Sequence, residues 1–119
     1  MESRKIFIGL ARAYFTGFAL AASLIAGAAQ AAEPEVLLVI KNHRFEPSEV
    51  KVKAGEKIRL VVHNQDSTPE EFESHSLKRE KVVPAGQKAT ILIGPLQPGR
   101  YTFYGEFNEK TAQGVVVAE

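Results

Sequence analysis

Cysteine is missing from all 119 residues. Its absence excludes disulfides, a catalytic thiol, cysteine zinc sites, iron–sulfur clusters and any copper–thiolate bond. Tryptophan is missing too, and the one methionine is the initiator Met1, so no thioether is available within the body of the chain. An excess of one charge is also lacking: 15 basic and 14 acidic residues leave a formal +1 and no basic tract. Nothing is positioned to neutralise a run of phosphates, which argues against nucleic-acid binding. Long helical patterns are absent after residue 33. So are the G-x-S-x-G elbow, H-E-x-x-H, the phosphate loop and the Rossmann glycine pattern. Ser74-His75-Ser76 sets hydroxyls beside an imidazole, but neighbours on a strand face opposite ways, so this is no hydrolytic pair.

What is present begins with a three-part N-terminus. Arg4, Lys5 and Arg12 precede a nearly uncharged stretch from Ala13 to Ala29, followed by Ala29-Gln30-Ala31. This is the pattern of a secretory signal peptide over residues 1–31, and the A-x-A site favours its removal over retention as a membrane anchor. The domain is then 32–119, 88 residues with 12 basic and 13 acidic side chains. A chain of that size buries only about 60% of its unfolded surface. Without disulfides, a closed sheet architecture or a bound metal is expected to stabilise it.

That domain reads as strands. Val36 to Ile40 is a short apolar run; Val50 and Val52, then Ile58, Leu60 and Val62, alternate with period two. The turn between them, Lys53-Ala54-Gly55-Glu56, and its counterpart Pro84-Ala85-Gly86-Gln87, suggest two hairpins of the same chemistry. The second leads into Ala89, Ile91 and Ile93. Tyr101 to Tyr104 and Gly114 to Ala118 complete the set. The expectation is an all-β, Greek-key sandwich or barrel of six to eight strands.

The order of phrases adds a function. Phe45-x-Pro47, Ala54-Gly55, Asn64-x-Asp66, Pro98-Gly99-x-Tyr101-x-Phe103 and the closing Gly114-Val-Val-Val together resemble a cupredoxin. Within that superfamily they are similar to the EfeO-type cupredoxin-like domains of periplasmic iron and copper handling. The resemblance implies a periplasmic protein that binds iron or copper beside a membrane iron permease, with ferrous oxidation or ferric delivery as its task. It also implies where blue-copper ligands would lie, and this chain offers Glu70, Gly105, Asn108 and the Thr111 to Gln113 region there. With no Cys, His or Met at those places, type 1 copper is excluded.

Oxygen ligands stand nearby. Glu70, Glu71 and Glu73, then His75, fall in one stretch, and Glu106 sits beside the former cysteine position. Such a set suits iron, manganese or Cu(II) better than Cu(I). On an extended strand Glu71, Glu73 and His75 share one face and Glu70, Phe72 and Ser74 the other. Glu70 with Glu106 is the preferred metal pair, and Glu73 with His75 a second, more exposed one. Two other readings stand beside this one. The glutamates can serve as a solvated edge that blocks sheet-to-sheet pairing, with His75 as a surface residue. The chain can also be an exported partner-binding module, using its exposed edge or the loop expected between Glu70 and Lys81. His43 and Asn108 are candidates for additional ligands, Asn108 equally for a turn residue.

Overall fold

The computed structural model describes residues 33–119; the expected signal peptide lies outside the described residues. Among them no helix is long and apolar enough to cross a membrane. The described residues form nine strands in two sheets. Strands β1 (Glu35–Lys41), β2 (Arg44–Glu46), β4 (Ile58–Asn64) and β7 (Lys88–Ile93) make a four-stranded sheet in the order β2-β1-β4-β7. Strands β3 (Glu49–Val52), β5 (Glu70–Ser74), β6 (Arg79–Val83), β8 (Gly99–Gly105) and β9 (Gln113–Ala118) make a five-stranded one in the order β3-β9-β8-β5-β6. The pairs β1–β4 and β3–β9 are parallel and the others antiparallel.

The alternation puts Ile58, Leu60 and Val62 of β4 and Ile91 and Ile93 of β7 in the core, facing Val50, Phe72, Phe103 and Val116 of the other sheet. Phe45, Phe72 and Phe103 cluster at its centre, with ring centroids 4.9 to 6.2 Å apart. Such pairs add about 0.5–1.5 kcal/mol each beyond the area they bury.

Two expectations change. The strand count is nine rather than six to eight, because the chain between Lys41 and Lys53 crosses from one sheet to the other and splits into two short strands. The two Ala-Gly turns are not hairpins. Each is an arch between sheets, carrying β3 to β4 and β6 to β7. Period-two alternation fixes which face of a strand is buried but not its partner; here β3 pairs with β9 and β4 with β1 and β7. Gly55 and Gly86 sit at φ +80° and +70° with open space around them, so conformation rather than crowding calls for glycine.

The Asn64-x-Asp66 phrase is structural. Buried Asn64 donates from Nδ2 to the carbonyls of Thr68 (2.8 Å) and Val83 (3.0 Å), and its Oδ1 accepts from the Asp66 amide at 3.0 Å. The Val83 bond ties β4 of one sheet to β6 of the other. Asp66 accepts from the amides of Asn42 and His43 at 2.7 and 2.9 Å, holding both residues at positive φ in the turn from β1 to β2.

Candidate metal centre

Strand β5 sorts its side chains to two faces, and two separate carboxylate arrangements result. Glu70 points inward and is 1% exposed. Its Oε1 accepts from the amides of Glu71 (3.0 Å) and Phe107 (2.9 Å), and its Oε2 accepts from Asn108 Nδ2 at 2.7 Å. Phe107 and Asn108 belong to a single 3₁₀ turn, Glu106–Asn108, and the chain beyond it is held by the Asn108 carbonyl, which accepts from the Ala112 amide at 2.8 Å. Gly105 is the floor of this knot: a Cβ there would lie 2.6 Å from Glu70 Cδ and 2.7 Å from Ala112 Cβ.

The outward face of the five-stranded sheet holds the second arrangement. One oxygen each of Glu71, Glu73, Glu80 and Glu106 lies within 4.8 Å of the other three. Register explains the convergence. Glu73 stands directly opposite Glu80 on β6 and Tyr104 on β8, and Phe72 opposite Gly105 places Glu106 next to Glu71. Glu71 is 7% exposed, Glu73 is half-buried, and Glu80 and Glu106 form an exposed rim. Glu71 Oε1 and Glu73 Oε2 are buried with no hydrogen-bond partner. Ion pairs among the described residues join His43–Asp66, Lys53–Glu56 and Arg100–Glu49; none reaches the four carboxylates.

Like charges this close resist ionisation. The close approach of the Glu80 carboxyl, then burial, then the neighbouring Glu106 carboxyl push Glu71 up to about 8. Glu73 is raised by burial first, then by Glu106 and Glu80, with His75 opposing. Tyr104 is raised by burial and then by Glu73 and its acidic neighbours. The geometry thus calls for positive charge at its centre, supplied by shared protons or by a cation.

Of the residues singled out in sequence, Glu73 and Glu106 lie in this cluster. Glu70 does not: it is turned to the interior face and held by the 3₁₀ turn. His75 lies beyond the cluster, its Nε2 3.0 Å from the Tyr104 hydroxyl. Asn108 anchors Glu70, and His43 lies in the turn before β2 with Nδ1 3.7 Å from Asp66. Glu71, named among the oxygen ligands of the stretch but placed in neither preferred pair, is a member, and Glu80 is the member that sequence reasoning missed. The stretch from Glu70 to Lys81 is a β-hairpin rather than a loop, with Ser74 paired to Arg79. Centring its turn on Ser76-Leu77 would have brought Glu80 opposite Glu73.

The profile of the family described as cupredoxin-like domain matches residues 13–118. The chain belongs to that family. An uncharacterized protein of Rickettsia prowazekii (strain Madrid E) is 48% identical over 83 residues, which are 70% of this chain and 66% of that protein, just under two thirds of its length. Among solved structures, this cupredoxin-like chain is similar to the metal-binding domain, with Cu(I), of the Cu(I)-exporting P-type ATPase CopA of Streptococcus pneumoniae D39 (TM-score 0.64, 13% identity, 71% of this chain and 84% of that one). It is also similar to auracyanin A, a "blue" copper protein of Chloroflexus aurantiacus (0.62, 10%, 71% and 98%), and to amicyanin of Paracoccus versutus (0.57, 18%, 71% and 81%). At these identities the likenesses show the fold.

Cupredoxin neighbours bind copper, and this domain does not fit a type 1 site. The places that the resemblance gives to the ligands hold Glu70, Gly105, Asn108 and the Thr111 to Gln113 region, and of these Glu70, Gly105, Asn108 and Ala112 pack on one another. Neither thiolate nor imidazole is among them, and the Glu70 carboxylate occupies the space at Gly105.

Proposed function

We infer that this is an exported, cupredoxin-like metal-handling protein that binds iron or copper through carboxylates and serves iron uptake by passing ferric iron to a membrane permease. The observation that carries the reading is the convergence of Glu71, Glu73, Glu80 and Glu106 within 4.8 Å. Oxygens spaced this way surround one ion at about 2.0–2.6 Å with small rotamer adjustments. Support also comes from the unpartnered oxygens of Glu71 and Glu73 and from the metal chemistry named for the structural neighbours. Export and the permease partner rest on the N-terminal pattern and the family resemblance. Oxidation of Fe(II) would require an electron acceptor, so delivery is the role proposed.

Anaerobic titration calorimetry with Fe(II) and with Cu(II) tests it, on wild type, Glu73→Ala, Glu106→Ala and His75→Ala. Saturable binding in the micromolar range or tighter is expected, weakened at least tenfold, about 1.4 kcal/mol, by either glutamate change and less by His75→Ala. Heatless titrations of both ions would turn attention to the second reading, a partner-binding module. In its favour are exposed Phe107, Val82 and Leu92.

A further inference from the structure

We propose that the four-carboxylate cluster takes a hard trivalent cation in preference to copper, with Glu71 as its inner ligand and Glu80 and Glu106 as the rim through which the ion exchanges. The inference rests on the metal-handling reading and narrows its ion. All four converging groups are carboxylates, so no imidazole or sulfur is present to favour copper. His75, the nearest candidate imidazole, is engaged with Tyr104. An entering cation displaces the protons that the four carboxylates share, and among the described residues no lysine or arginine is paired to them; the resulting negative charge is balanced better by three positive charges than by two, because Coulomb attraction at a few ångströms scales with the product of charges.

Burial gives the site its direction. Glu71 is more than nine-tenths buried, and its Oε1 lacks any donor. An oxygen desolvated this way loses hydration without compensation unless a proton or cation meets it. Glu80 and Glu106 lie in solvent on the other side, so an ion seated on Glu71 keeps water-exposed ligands and an exit path. The site is therefore suited to holding and passing on an ion, not to enclosing a permanent one.

Terbium(III) serves as the probe, because a tyrosine beside the ion sensitises its luminescence, and Tyr104 stands directly across from Glu73. On the full chain, tyrosine-excited emission is expected to rise to saturation. Glu71→Gln and the solvent-exposed Glu80→Gln should each weaken binding at least tenfold, while Tyr104→Phe lowers the emission and leaves calorimetric affinity within twofold. Ferric nitrilotriacetate should displace terbium, whereas equimolar Cu(II) should not. Displacement by equimolar Cu(II) would overturn the trivalent preference and leave a metal site standing. Terbium binding unchanged in both glutamine variants would place the ion elsewhere and overturn the assignment. Failure of wild type to bind terbium, Fe(II) or Cu(II) would remove the broader metal-handling reading as well. Because Glu80 is exposed, its variant separates lost ligation from lost folding.

Discussion

In the ion-free protein Glu71 retains its proton through neutral pH, because Glu80, burial and Glu106 all oppose its ionisation. The unfolded chain releases that proton near the ordinary value of 4.5, so between 4.5 and about 8 the folded state holds more protons than the unfolded one. Stability from this group is therefore complete below about 4.5, declines as pH rises, and is gone once Glu71 ionises in both states above about 8. Urea denaturation of chelator-treated protein across that range should show a falling midpoint, and Glu71→Gln, which cannot titrate, should flatten the fall; equal slopes in the two proteins would contradict the account. Glu70, on the other face of the strand, has its carboxyl oxygens met by three donors. Glu70→Gln turns one acceptor into a donor facing donors and should cost about 1–3 kcal/mol. Gly105→Ala should cost a similar ~1–3 kcal/mol through overpacking against Glu70 and Ala112, readable as a drop in unfolding free energy.

Strand edges and arches decide how the sheets are held. The β6 edge carries Arg79, Glu80 and Lys81, charged residues that discourage another chain from adding to it, so Glu80 can serve the edge as well as the cluster. Asn64 ties the two sheets through its bond to the Val83 carbonyl and holds the following loop through two more, and Asn64→Ala should cost about 2–4 kcal/mol, since it leaves buried partners unpaired; a loss below about 1 kcal/mol in urea unfolding would show that water replaces the amide. Much at this scale was legible in the sequence. Apolar alternation located β4 and β7, the apolar run Gly114 to Ala118 located β9, and the faces of β5 follow from Phe72 alone. Partner choice was not legible, because Lys53-Ala54-Gly55-Glu56 has the same local chemistry whether it closes a hairpin or spans two sheets. The site was half legible for the same reason: Glu73 and Glu106 stand out by position, whereas Glu80 joins them only through the register of a hairpin whose turn carries no glycine.

As a whole, the domain draws its stability from one hydrophobic core shared by two sheets, with no cysteine to cross-link it. The phenylalanine cluster spans both sheets, and Phe103→Ala should cost about 3–5 kcal/mol, with cooperative unfolding retained at a lower midpoint. Cu(II) added to the protein should give no intense blue thiolate-to-copper absorption; an intense charge-transfer band in the visible, beyond the weak blue of Cu(II) on oxygen ligands, would refute the reading of the former ligand positions. The inward carboxylate of Glu70 braces the 3₁₀ turn from inside, while the outward quartet faces solvent across the same strand. Strut and berth are thus separate parts. A cargo ion could board or leave the berth many times while the strut stays seated, and chelation would empty the molecule without melting it.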